Sequence, residues 1–221
     1  MAVITISREF GSGGVQIAAR ICERLGYRYI DKLLMTQVAA EVGLSGNELA
    51  DFSQEDYKVR HFLQRLLSPG PHPVARLTIR SRDANGVETI SPVQVHWRRA
   101  ARLVQTAILT AHEQGNTVIV GRGGQVTLKG QPDVFHVRVV APIPERILRI
   151  QQREGIGLDE AREAANREDR ISAGYLKRVF GVRWDDPLLY HMVINTGQWP
   201  IEDAAEIIVC SVARLQEKTA A

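Results

Sequence analysis

The run Ser7-Arg8-Glu9-Phe10-Gly11-Ser12-Gly13-Gly14 follows the β-rich Val3-Ile4-Thr5-Ile6 and leads into Ile17, Ala18, Ile21, Cys22 and Leu25, the buried stripe of a helix. A glycine-rich turn between a strand and a helix N-terminus aims several backbone N–H groups at one point, which suits phosphate oxygens. Gly11, Ser12, Gly13, Gly14 and Gln16 are therefore the candidate phosphate-binding residues. A plainer reading stays open, in which the glycines only let a tight turn pack closely. The phosphate-loop pattern G-x-x-x-x-G-K-[ST] is incomplete, with Gly14 at the lysine position and Val15 at the hydroxyl position. The dinucleotide pattern G-x-G-x-x-G is absent.

Two further segments stand at the carboxyl ends of expected strands, where open parallel sheets bind ligands: Asp31, and Gly121-Arg122. Asp31 serves equally well as the N-cap of the helix that follows, and Arg122 as a surface arginine in a tight turn. Arginines cluster across residues 138–183, with Arg146, Arg149 and Arg153 on one helix face and Arg167 and Arg170 on another. Such a cluster suits an anionic ligand in a basic cleft, or a solvated face laced with ion pairs to Glu145, Glu163, Glu168 and Asp169. The six histidines lack metal-ligand spacing, and no metal site is expected. Trp97, Trp184 and Trp199 form no base-stacking series.

The elements that position these residues alternate. Strands are expected over Tyr27–Ile30, Thr117–Val120, Val134–Val140 and Leu189–Ile194. Helices are expected over about 32–42, 46–67, the stripe Ala100–Ala111, Pro142 to about 154, about 158–179 and about 201–217. Pro69-Gly70-Pro71-His72-Pro73 breaks the chain, and Arg76–Arg80 and Val87–Ile90 flank an Asp83-Ala84-Asn85-Gly86 turn as a hairpin. The rhythm is that of an α/β protein with a parallel sheet covered on both faces. With 221 residues, 44% hydrophobic and 24% charged, the chain reads as one domain that needs no disulfide or metal staple. The net charge of +3 is too small to call for nucleic acid. Cys22 and Cys210 read as core residues in a reducing compartment. No apolar run approaches the ~20 residues of a membrane span, and the N-terminus opens directly into a strand, so a cytoplasmic protein without a membrane partner is expected.

Ile4-Thr5-Ile6-Ser7-Arg8-Glu9-Phe10-Gly11-Ser12-Gly13-Gly14, Leu25-Gly26-Tyr27-Arg28-Tyr29-Ile30-Asp31-Lys32 and Val118-Ile119-Val120-Gly121-Arg122 resemble the cytidylate kinase-like family of P-loop nucleoside monophosphate kinases. Ala141-Pro142 with Glu145-Arg146, Glu168-Asp169-Arg170 and Asp186-Pro187-Leu188-Leu189-Tyr190 continue the likeness over most of the chain except roughly 46–93. The resemblance implies a three-layer P-loop kinase fold: a five-stranded parallel sheet with the first strand central, a helical, acceptor-binding or partner-contacting insertion at 46–93 carrying the hairpin excursion, and a lid-like region at 154–183.

It also implies transfer of the ATP γ-phosphoryl group to CMP or dCMP, with ATP and Mg²⁺ as cofactors and nucleotides as partners. By resemblance Gly11–Gly14 and Gln16 hold the ATP phosphates, while Asp31 and Arg122 face the acceptor. Arg170 is a catalytic lid arginine, with Arg149, Arg153 and Arg167 beside it. The family's aspartate after the Gly-Arg pair is Gly123 here, so its base contact is missing. Arg8 is the candidate to stand in for the absent lysine, and Gln16 to offer the metal a neutral oxygen. A lysine restored at Gly14 is expected to strengthen ATP binding. The alternative is a nucleotide-binding module that acts through a partner or as a sensor. The hairpin is a candidate homodimer contact, or a cover for the acceptor site.

Overall fold

The structure is a computed structural model that describes residues 2–31, 76–82, 88–94 and 97–220. The expected helices at about 32–42 and 46–67, the proline break and the Asp83–Gly86 turn lie outside the described residues. Strands β1 (Val3–Arg8), β2 (Arg28–Ile30), β5 (Thr117–Val120), β6 (Val134–Val140) and β7 (Met192–Asn195) form one five-stranded sheet in the order β2-β5-β1-β6-β7. Every pairing in it is parallel, with β1 central between β5 and β6. This is the P-loop kinase arrangement that the resemblance implied. Strands β3 (Arg76–Arg82) and β4 (Glu88–Gln94) pair antiparallel as a separate two-stranded sheet, the expected hairpin.

The helices are α1 (Gly14–Leu25), α2 (Trp97–Gln114), α3 (Gly124–Thr127), α4 (Ile143–Glu154), α5 (Leu158–Phe180) and α6 (Ile201–Ala220). Strand alternation distributes them over two faces of the sheet. Ile4, Ile6, Val118, Val120, Val137 and Val139 pack with α1 and α6 through Ile17, Ile21, Ala204 and Ile208. Val3, Ile119 and Val134 face the other way and pack with Ala107, Ile108 and Ala111 of α2. A third cluster joins α4 to α5 through Ile147, Ile150, Ala161 and Ala165, with Phe10 of the glycine loop packed against it.

Two expectations are corrected. Pro187–Leu189 is a 3₁₀ turn capped by the Asp186 carboxylate, which accepts from the Leu188 N–H at 3.0 Å, so β7 begins at Met192 rather than Leu189. Cys22 is half-buried against the core, but Cys210 is exposed. The core stripe of α6 is Ala204, Ala205, Ile208 and Val212, and a position two residues past Ile208 points away from it. Among the described residues no helix is long and apolar enough to cross a membrane.

The second sheet face turns polar along β1 and β6. Thr5 Oγ1 lies 2.7 Å from His136 Nδ1, and the His136 ring stacks on His191 at 4.9 Å. The His136 backbone N–H donates to His191 Nδ1 at 2.9 Å. Burial, then the neighbouring His191, pushes the His136 pKa down to about 4. The unfolded chain titrates this group near 6.5 and so binds more protons than the folded chain between those values. The stability contribution is complete above about pH 6.5 and is lost as pH falls toward the folded value. His136→Gln should therefore flatten the acid limb of the stability curve. From pH 7 to 4.5 the wild type should lose about 2–3 kcal/mol more than the variant, read from urea unfolding. Parallel losses in both proteins would refute this.

Candidate functional site

The glycine loop runs from the end of β1 into α1. Gly11 and Gly13 adopt φ of +83° and +84°, and the Ser12 N–H donates to the Glu9 carbonyl at 3.2 Å. The α1 N-terminus opens at Gly13 with no side-chain cap among the described residues, so its first N–H groups face the loop without a described carboxylate or hydroxyl on them. The Ser12 hydroxyl is buried and donates to the Glu9 carbonyl at 2.8 Å. From behind, Thr196 Oγ1 donates to the Ser12 carbonyl at 2.7 Å, and Arg149 donates to that same hydroxyl oxygen at 2.8 Å.

Beside the loop three of the expected residues come together. The Arg8 guanidinium reaches from β1 across to Gly121 at the end of β5, where a Cβ would stand 2.7 Å from Arg8 Nη1. Arg122 follows at φ +57°, an unusual conformation for a non-glycine residue. Burial lowers the Arg8 pKa, and the charges of Tyr29, Asp31, Glu168 and Asp169 raise it. Burial also lowers that of Arg122, with Tyr175 raising it, Arg8 lowering it further and Asp31 raising it. Both guanidinium groups stay charged. They form a basic pair with Asp31 at the carboxyl ends of three neighbouring strands. The Tyr175 hydroxyl is buried near Arg122 and has no hydrogen-bond partner among the described residues.

The helical arginines separate instead of converging. Arg149 supports the back of the loop, as above, and pairs with Glu145 at 3.2 Å. Arg153 lies over the Phe10 ring at 4.9 Å and pairs with Glu154. Arg167 is exposed beside Glu168, and Arg170 is exposed with its Nε donating to the Asn166 carbonyl at 3.1 Å. Gln16 is exposed in the first turn of α1.

Four residues organise the site: Glu9 and Arg138, from outside the expected set, and Arg146 and Asp169, an ion pair of the kind the solvated-face alternative expects. Glu9 pairs with Arg138 at 3.5 Å and with Arg146 at 3.6 Å, and accepts from the Ala141 N–H at 3.2 Å. Asp169 of α5 accepts from the Phe10 N–H at 2.8 Å and from Arg146 at 2.5 Å. Arg138 donates to the Trp184 carbonyl at 2.5 Å and lies over the Trp184 ring at 4.4 Å. Helix α5 is thus tied to the glycine loop by one carboxylate. One signal for this was available, a charged residue within the apolar strand Val-Phe-His-Val-Arg-Val-Val; the spacing of Glu9 carried none.

Mg²⁺ finds no hydroxyl ligand here. The Val15 side chain has no oxygen, and Ser12 Oγ is turned onto Glu9. Among the described residues no group of three or more His, Cys, Asp or Glu is placed to hold a metal ion. With Ser12 and Glu9 engaged, Gln16 is the side chain left at the loop to offer a metal an oxygen. A lysine at position 14 does not fit while Arg8 is present, because its Cβ would stand 2.5 Å from the Arg8 Cβ. This corrects the expectation that Gly14→Lys alone strengthens ATP binding.

A model of the cytidylate kinase-like family matches residues 3–198. The chain belongs to that family. Membership places it among phosphotransferases. It is 26% identical over 215 residues to a cytidylate kinase of Pyrococcus horikoshii, covering 96% of this chain and 89% of that one. A cytidylate kinase of Methanocaldococcus jannaschii is 22% identical, covering 97% and 99%. An uncharacterized protein from Eubacterium ventriosum shares the fold with a TM-score of 0.66 at 19% identity, covering 96% of this chain and 99% of that one.

The Asp169 contacts generate a stability prediction. Asp169→Ala leaves the Phe10 N–H without its acceptor and the Arg146 guanidinium with Glu9 and the Phe10 carbonyl alone, which should cost about 1–3 kcal/mol. Asp169→Asn, keeping one acceptor, should recover about half of that in denaturant unfolding at neutral pH. Equal, small losses in both would show that the clasp contributes little.

Proposed function

We propose that this protein is an ATP-dependent nucleoside monophosphate kinase with CMP or dCMP as acceptor. The observation that supports it is the convergence of Arg8, Arg122 and Asp31 beside an uncapped glycine loop. One helix N-terminus receives the donor phosphates, and a basic pair adjoins it on the acceptor side. In this reading the loop residues Gly11–Gly14 hold the triphosphate by backbone N–H groups. Arg122 grips the acceptor phosphate, and the Tyr175 hydroxyl beside it adds a donor. Phosphoryl transfer needs little covalent help, so positioning and charge neutralisation are what this chain contributes. Arg170, carried on α5, reaches the nucleotides only if that helix moves, while Arg149 supports the loop from behind and Arg153 and Arg167 pair with Glu154 and Glu168. The two free cysteines agree with a cytoplasmic enzyme.

A second reading, a nucleotide-binding module without efficient transfer, is favoured by Gly14 and Val15 at the lysine and hydroxyl positions. ADP release measured with CMP, dCMP, UMP, AMP and GMP separates the two. The kinase reading expects turnover with cytidine nucleotides, and Arg122→Ala should raise the acceptor KM about ten- to a hundredfold with the ATP KM nearly unchanged. Binding of ATP without turnover on any acceptor would establish the module instead. Equal losses for ATP and acceptor would remove Arg122 from the acceptor side.

A further inference from the structure

The phosphate-loop pattern opens on a glycine and closes on a lysine. Aligned on Gly13, those places fall at residues 8 and 14, where this chain has arginine and glycine. The cation and the glycine have changed places, and the structure shows that side chains at both positions could not stand together. A Cβ on Gly14 would meet the Arg8 Cβ at 2.5 Å and its Cγ at 3.0 Å. Unbonded carbons rest at about 3.5–4.0 Å. The corner between the end of β1 and the first turn of α1 thus holds one side-chain stem. In the ordinary pattern that stem rises from the helix; here it rises from the strand.

The far end of Arg8 is shaped in the same way. Its Nη1 lies where a Cβ on Gly121 would be only 2.7 Å away, and Gly121 also has a φ of +77° that disfavours any side chain. Gly14 and Gly121 form the floor along which Arg8 lies. The guanidinium ends beside Gly121, near enough to the adjacent Arg122 for the two charges to interact.

We propose that Arg8 and Gly14 are a reciprocal exchange of the loop's lysine and first glycine, so that Arg8 delivers from β1 the cation that holds the transferred phosphoryl group. The inference rests on the kinase reading above. In the transfer, an oxygen of the acceptor monophosphate bonds to the γ-phosphorus of ATP. The bond from that phosphorus to the β,γ-bridging oxygen breaks, and its electron pair leaves with ADP. A dianionic acceptor gives up no proton, and Arg8 keeps all of its own. Its planar fork donates to non-bridging γ-oxygens, a geometry an ammonium lacks.

The test uses Arg8→Gln, Arg8→Gly, Gly14→Lys and the double variant Arg8→Gly/Gly14→Lys in the full chain. Tripolyphosphate binding by calorimetry, ADP release with CMP, and the thermal midpoint are measured for each. Arg8→Gln should keep the wild-type midpoint and lose about ten- to a hundredfold in binding and turnover. Gly14→Lys should lower the midpoint and gain nothing. The double variant should recover the midpoint that Gly14→Lys loses and most of the binding that Arg8→Gly loses. Wild-type binding and turnover in Arg8→Gln would overturn the exchange, as would a folded double variant that binds no better than Arg8→Gly. If the double variant does not fold, Arg8→Gln decides alone. The binding and turnover arms fail separately. Tripolyphosphate bound by the wild type and lost in Arg8→Gln, with no transfer to any monophosphate, overturns the kinase reading and leaves Arg8 in place. Undiminished transfer in Arg8→Gln does the reverse.

Discussion

The Glu9 carboxylate fixes the rest of the site. It faces two buried arginines, Arg138 from β6 and Arg146 from α4, and also accepts a backbone N–H at Ala141. Burying such charges costs several kcal/mol per ion unless partners surround them, so the arrangement tolerates little displacement. Asp169 completes it from α5 by holding Arg146 and the Phe10 N–H together. Strand, loop and two helices therefore meet at one set of ion pairs. The glycine loop inherits its position from them: Gly11 passes so close to α4 that a Cβ would stand 2.7 Å from the Arg146 carbonyl oxygen.

The parts of the fold that were legible are those set by local periodicity. Val134–Val140 and Thr117–Val120 are continuous apolar runs bounded by turn residues, and both appear with those limits. Gly26 ends α1 in the left-handed conformation that a glycine after the last apolar residue readily adopts. Leu189 misled because an apolar pair after proline resembles a strand start, while the Asp186 side chain caps a turn there instead. Periodicity reports which side chains share a face, not what that face meets.

The arginines show the same limit. Arg146, Arg149 and Arg153 are spaced as one stripe, yet α4 lies between the loop, the end of β7 and α5. The stripe is consequently divided: Arg146 into the ion cluster, Arg149 onto Thr196, Arg153 over Phe10. Three like charges on one face need not share a ligand, and here the long side chains diverge to separate acceptors. Glu9 was illegible for a related reason. A glutamate in a glycine-rich loop is usually solvated, and its burial depends on two arginines more than a hundred residues away in sequence.

What the ion cluster leaves over is the argument for an anion. Arg138 and Arg146 are matched by Glu9 and Asp169, so that group is close to neutral within itself. Arg8 and Arg122 are differently placed. They stand near enough for the charge of Arg8 to lower the Arg122 pKa, and burial lowers both. Asp31 and Glu168 oppose the repulsion, Glu168 also pairing with Arg167, and Asp169, which reaches Arg8 too, is already engaged with Arg146. Two like charges withdrawn from water are unfavourable for folding unless something negative joins them. The left-handed turn at Arg122 and the bare glycines under Arg8 show that the backbone is shaped to hold both guanidinium groups there. Strain of that kind persists where surrounding structure over-determines it, most often at ligand sites. A phosphate set between Arg8, Arg122 and the uncapped α1 N-terminus would turn the repulsion into shared coordination.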